Sequence, residues 1–289
     1  MSGSAGFGDG SKKDSHLETT IRLRNTRINL ISWAAGSIDA FSYLGLGHVF
    51  TANMTGNTIL LALALSGDQV DGLSAIRSGI ALGSYFLGAV LGTIIVSFKI
   101  QNRKEDLRRK AKGESEIKAL EEAFEKEQWP PEVNVAILIE GLILLLFGLL
   151  WSTLIFSSSP FWMYALIFLS AIAMGIQSVA ISHLGIWGVV TTYITGTYTS
   201  FFVGLVTKIS GKSESSASMI RQASSATGQE QSPIAGAGSR SLPLEASALI
   251  FYALGAFFSG LIFLRSESAA PWISIIAVFV VALISKFLP

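Results

Sequence analysis

The sequence predicts an all-α integral membrane protein, a polytopic helical bundle of six full spans plus two short broken or re-entrant segments. Three observations carry that expectation. Half of the 289 residues are hydrophobic and 14% are charged, with a mean hydropathy of +0.53, whereas a soluble domain carries about 25% charged residues. The apolar residues are gathered into long blocks almost free of charge, and about 20 such residues cross the hydrocarbon core. Basic residues collect between particular blocks, which is the bias that cytoplasmic loops show.

Residues 1–27 are polar, with Lys12, Lys13, Arg22, Arg24 and Arg27. They read as a mobile cytoplasmic tail and not as a cleaved signal, because the apolar block that follows is too long for a signal core. Six blocks are long enough to span: 28–47, 74–98, 133–156, 161–182, 244–264 and 270–288. Two others, around 58–65 and 199–206, are too short. Basic residues mark the tail, the stretch from Lys99 to Lys112, the stretch from Lys208 to Arg240, and Lys286 at the C-terminal end. Placing all of these on one side requires an even number of crossings between the tail and Lys99, and zero or two between 183 and 243. The short blocks therefore do not cross fully, and both termini are cytoplasmic, with the plasma membrane as the default location.

The loops differ in character. Residues 104–127 alternate in sign and put Ile117, Leu120 and Phe124 on one helical face. That predicts an amphipathic helix on the membrane surface or against the bundle, or else a solvated charged helix. Residues 211–243 are rich in Ser, Gly and Ala with few apolar residues, and are expected to be disordered.

An internal repeat organises the chain. Residues 50–58 (Phe-Thr-Ala-Asn-Met-Thr-Gly-Asn-Thr) align without gaps on residues 190–198 (Val-Thr-Thr-Tyr-Ile-Thr-Gly-Thr-Tyr), with Thr51/Thr191, Thr55/Thr195 and Gly56/Gly196 identical. Upstream, Gly36 and Gly175 precede the paired glycines at nearly equal distances. Downstream, Tyr-Phe-Leu-Gly-Ala at 85–89 matches Tyr-Ala-Leu-Gly-Ala at 252–256. The chain thus divides into the tail 1–27, a first membrane repeat 28–156 that includes the charged loop 99–132, and a second repeat 157–288 that includes the loop 211–243. By the charge count the first repeat starts inside and the second outside, so the halves are inverted. Inverted repeats with broken helices near mid-membrane are a recurrent transporter design. The half-helix N-termini, read at Asn57 and Thr197, would offer N–H groups to an anion or a carbonyl oxygen.

Gly36-Ser-Ile-Asp39-Ala40 followed by Leu46-Gly-His48-Val-Phe50-Thr-Ala-Asn53-Met-Thr55-Gly56-Asn57-Thr58 resembles the signature of the YoaK-like family of uncharacterised multi-pass membrane proteins. Gly175-Ile-Gln177 with residues 191–197 resembles that family's second motif. The resemblance covers roughly 28–288 without the 211–243 insertion. It implies a membrane protein and no particular substrate, because the family is a domain of unknown function.

Candidate functional residues follow from intramembrane polarity. Asp39 lies roughly 17 Å into the first span at about 1.5 Å per residue, and an ionisable group at that depth is a functional hypothesis. It either couples to protons or binds a cation or amine, or it is a structural carboxyl bonded to the broken segment. Asn53, Thr55, Gly56, Asn57, Thr195, Gly196 and Thr197 either line a site between the two Thr-Gly turns or only cap and brace broken helices. Gln177, near the position matching Asp39, either faces the same cavity or joins two helices. His48 and His183 read as interfacial, and Glu140 as reaching the interface. Gly79/Gly83 and Gly88/Gly92 read as close-packing positions.

No cysteine is present, so disulfides and thiolate metal sites are excluded. Neither metal-ligand spacing nor a phosphate loop, a Gly-x-Ser-x-Gly elbow or an intramembrane aspartate pair occurs, so no metal, cofactor or enzyme chemistry is expected. A net charge of +1 gives no case for nucleic acid. The expected partners are the lipid bilayer and an unknown small solute, and a homo-oligomer is compatible with the sequence. The function expected is a transporter or channel-like protein; the alternative is a membrane scaffold or sensor acting through its cytoplasmic loops.

Overall fold

The computed structural model of the chain describes residues 7–66, 72–111, 113–125, 127–154, 159–184, 194–210 and 242–287. These residues form nine helices and no strand: α1 Phe7–Gly45, α2 Met54–Leu65, α3 Ala75–Lys110, α4 Glu114–Glu125, α5 Pro131–Leu154, α6 Pro160–Ser182, α7 Ile194–Ser210, α8 Leu242–Phe263 and α9 Trp272–Phe287. In lipid a helix satisfies its own backbone, which is why apolar blocks fold this way and no other. Local signals set several starts. Ser74 caps α3 by accepting the Arg77 N–H, Asn53 caps α2, and Pro160 sits at the first position of α6, where its missing N–H costs nothing.

Four helices, α3, α5, α6 and α8, are long and apolar enough to cross a membrane; α2, the Ile194–Val206 part of α7, and α9 are apolar but shorter. α1 is not among the four. Ser32, Ser37, Asp39 and Ser42 lower its hydropathy, and all four are buried inside the bundle. The residues between the loop-forming blocks differ from expectation in two places. The tail is no loose lead-in, since α1 is helical from Phe7. The basic segment after residue 98 is largely a continuation of α3 to Lys110, leaving only α4 as a separate helix. On α4, Ile117 and Leu120 are half-buried while their described neighbours are exposed. Residues 211–241 of the stretch expected to be disordered, the 190–193 part of the second motif, and the connecting residues 67–71 and 155–158 lie outside the described residues, while Leu242 and Pro243 already belong to α8.

Contacts at the two ends of the bundle set the helix directions. At one end Arg24 donates to Gln128, Arg27 lies 5.2 Å from the Trp129 ring, and Ser247 bonds Asn29 at 3.0 Å. The same end holds Arg103, paired with Glu127 at 2.6 Å and Glu132 at 2.8 Å, and the contact of Arg27 with the Ile284 carbonyl. At the other end Arg77 bonds the Gly72 carbonyl and reaches Met163, and Trp151 donates to the Glu267 carbonyl. The helices α1, α3, α5, α6, α8 and α9 therefore alternate in direction.

α1 packs mainly on α8, and α3 on α6, through glycines. A Cβ on Gly36 would lie 2.0 Å from the Tyr252 carbonyl oxygen, and one on Gly255 2.2 Å from that of Trp33. In the other pair, Gly175 would meet the Tyr85 oxygen at 2.3 Å and Gly88 the Ile172 oxygen at 2.2 Å. Each contact has its counterpart at matching steps along the partner helices. Gly88 and Gly92 thus pack closely as the spacing predicts, whereas Gly79 and Gly83 have nothing within 4 Å.

Candidate functional site around Asp39

α1 ends at Gly45, and the chain reaches α2 through a short irregular stretch with left-handed backbone at Gly47 (φ 79°) and His48 (φ 63°). Leu46, Val49, Thr51 and Ala52 within it are buried. Irregular backbone inside a bundle needs partners for its N–H groups. Asp39 supplies them. Its Oδ1 accepts from Thr51 (2.9 Å), Ala52 (2.7 Å) and Asn53 (3.3 Å), while Oδ2 accepts from the Tyr252 hydroxyl on α8 at 2.8 Å. Only 3% of Asp39 is exposed. Ser42 and Thr51 add a hydroxyl pair at 3.0 Å.

Asn57 completes the brace from one turn inside α2. The Phe50 N–H donates to its Oδ1 at 2.9 Å, and its Nδ2 donates to the Phe50 carbonyl at 2.5 Å. Asn53 closes the first turn by accepting the Gly56 N–H at 3.1 Å. Gly56 is helical, and its role is space: a Cβ there would meet the Phe50 ring at 2.8 Å. The turn is therefore made at Gly47 and His48, not at the Thr-Gly pair, and α2 starts at Met54, not at Asn57. The N–H groups that Asp39 engages belong to Thr51, Ala52 and Asn53, just ahead of α2, and not to the half-helix N-terminus at Asn57 that was expected to suit an anion or a carbonyl oxygen.

The structure brings Asp39, Asn53, Gly56 and Asn57 together and separates the others. Thr55 and Thr195 are exposed, Gly196 is half-buried and Thr197 is buried in α7. α2 packs on α3, α7 packs on α8, and the two short helices do not meet among the described residues. Gln177 is fully buried on α6, but every hydrogen bond of Asp39 goes to Thr51, Ala52, Asn53 or Tyr252. Counted from Gly36 and Gly175, the equivalent of Asp39 is Ser178. The burial sequence of residues 54–59 nevertheless matches that of 194–199 position by position, with Asn57 and Thr197 as the buried pair.

Tyr252 was missed as a site residue. Its signal was present, because it heads the second copy of the repeated Tyr-x-Leu-Gly-Ala element. His48 is exposed, as expected at an interface. His183 is half-buried and links α6 to α3, with Nε2 3.3 Å from the Ser97 hydroxyl. Glu140 departs from expectation altogether: it is fully buried in α5.

The sequence matches the DUF1275 family, described as a protein of unknown function, over residues 28–284. It is 34% identical over 194 residues to UPF0700 transmembrane protein YoaK of Bacillus subtilis (strain 168), covering 67% of this chain and 71% of that protein. No solved structure matches.

Proposed function

Because the chain belongs to the DUF1275 family, whose function is unknown, we propose from its own geometry that it is a transporter or channel-like protein for a small solute, with Asp39 as gate. One observation carries the reading. A single buried carboxyl holds an irregular backbone segment of the first half and, through Tyr252, a helix of the second half. Alternating access in inverted-repeat transporters moves one half against the other around a central site. The Asp39–Tyr252 bond crosses that boundary, so neutralising or releasing the carboxyl loosens both the segment and the seam.

The alternating directions of α1, α3, α5, α6, α8 and α9, the mirrored glycine contacts and the matching burial of α2 and α7 support six spans, two re-entrant segments and an inverted duplication. In this reading Asp39, Asn53 and Asn57 line one end of the path and Thr197 the other, without direct contact between the short helices. Both termini are cytoplasmic, the membrane is the plasma membrane, and no catalytic chemistry is assigned.

Two measurements test the proposal. In this cysteine-free chain, single cysteines at Gln69, Gly113 and Ser224 are exposed to a membrane-impermeant thiol reagent in intact cells. Labelling at 69 alone is expected, and labelling at 113 would overturn the topology. Electrical and flux recordings on proteoliposomes, across small cationic, anionic and neutral solutes, then compare the native protein with Asp39→Asn. Loss of flux in a folded variant is the expected result, and normal flux would remove Asp39 from the mechanism.

A further inference from the structure

Glu140 is another buried acid, farther from a helix end than Glu132 and Glu245, and the Asp39 site does not use it. It lies about 13 Å from the start of α5 at about 1.5 Å per residue, too far for a short side chain to reach water along the helix. The helix rotation also forbids it. Leu138, Leu142, Leu146 and Leu149 form the exposed stripe of α5, while Val133, Ile137, Glu140, Leu144 and Phe147 form the buried one. Glu140 is 0% exposed, and neither carboxyl oxygen has a hydrogen-bond partner among the described residues. The next residue, Gly141, faces Val278 and Phe279 of α9, while Phe147 and Trp151 on Glu140's own stripe meet Phe41 of α1, so Glu140 lies on the inward face of α5.

A bare carboxylate with no partner inside a protein is strongly disfavoured, and the group takes up a positive charge or a proton instead. A metal ion would need several oxygen or nitrogen ligands. Among the described residues no group of three or more His, Asp or Glu gathers anywhere. The helices packed on α5 carry as titratable groups Arg77, Tyr85 and the charged run from Lys99 to Lys110 (α3), Tyr164 (α6) and Lys286 (α9), and α1, which meets α5 through Phe41, carries Arg24, Arg27 and Asp39. Arg103 is paired with Glu127 and Glu132, and none of these groups hydrogen-bonds Glu140. We propose that Glu140 is a proton-binding site on the inward face of α5, a carboxylic acid that loses its proton to water, and regains it, when the packing around it opens. Glu140 is thereby distinct from Asp39, whose oxygens are all engaged, and the inference does not depend on transport.

The test uses the full-length protein in lipid nanodiscs with no solute. Infrared spectra across a pH titration should contain the carbonyl stretch of a buried carboxylic acid. Glu140→Gln should remove that band and take up one proton fewer per chain, whereas Glu140→Asp should shift the band without removing it. Should Glu140→Gln not fold, the shift in Glu140→Asp decides. Identical acid bands in the native protein and both variants would overturn the assignment. So would an ionised native Glu140 whose carboxylate bands respond to exchange of sodium or potassium, which would make it a cation site. Failure of flux assays leaves these spectra unaffected, so the two proposals fail separately.

Discussion

Removing the Asp39 side chain should cost more stability than any other single truncation in the first half of the chain. Asp39→Ala leaves three N–H groups, of Thr51, Ala52 and Asn53, without their acceptor in a region that is almost wholly buried. Each unsatisfied buried donor costs about 1–3 kcal/mol, so the loss for three is on the order of 3–9 kcal/mol, less whatever water entry recovers. Asp39→Asn keeps an amide oxygen for the same three donors and turns an NH2 toward Tyr252, whose hydroxyl can accept. It loses charge assistance only, for which about 1–2 kcal/mol is expected. Tyr252→Phe removes one bond and leaves the carboxylate its three backbone donors, at about 1 kcal/mol. Thermal unfolding of the purified variants in one detergent, followed by tryptophan fluorescence, should rank Asp39→Ala well below Asp39→Asn, and Asp39→Asn at or just below Tyr252→Phe. If Asp39→Ala unfolds with the native protein, the carboxyl is not what holds the segment, and both the brace and the gate built on it are refuted.

Other expectations are read in the same assay. Gly36→Ala and Gly175→Ala each place a methyl within 2.3 Å of a carbonyl oxygen on the facing helix, and overpacking of that kind costs about 1–3 kcal/mol. Gly79→Ala, with nothing within 4 Å, should be neutral or stabilising by up to about 1 kcal/mol; equal effects at 36 and 79 would deny the close α1–α8 approach. Asn57→Ala strips both backbone groups of Phe50 and should cost about 2–3 kcal/mol, and unchanged unfolding would show that α2 docks by other means. Arg103→Ala leaves Glu132, whose side chain is 6% exposed, without its cation. A loss of about 2 kcal/mol is expected, largely recovered by adding Glu132→Gln, and the absence of that recovery would mean that Arg103 acts through packing.

The membrane character and the helical content were legible in the bare chain, because a 30 Å hydrocarbon layer imposes length and composition on any segment that crosses it. The positions of most helices followed from the apolar blocks, and Arg24, Arg27 and Arg103 share one end of the bundle. The polar blocks did not yield so directly. α1 was recognisable by length although its serines and Asp39 lower its hydropathy, since a central helix faces other helices and needs less apolar surface than one that faces lipid. The rotation of α5 was also in the sequence, in the leucine spacing opposite Glu140, and periodicity alone would have turned that acid inward.

Which groups meet across the fold was not recoverable from order along the chain. The Thr-Gly pairs drew attention by their repetition, yet the chain bends at Gly47 and His48, and Gly56 serves only to admit the Phe50 ring. The N–H groups of Thr51, Ala52 and Asn53 did not stand out because the sequence does not say that Asp39, a turn and a half up α1, folds its carboxyl onto them. Tyr252 lies 213 residues from Asp39, and nothing local to either side chain names the other. Their meeting depends on the carbonyl-to-glycine contacts that bring α1 and α8 together, and such a contact exists only once two helices have already packed.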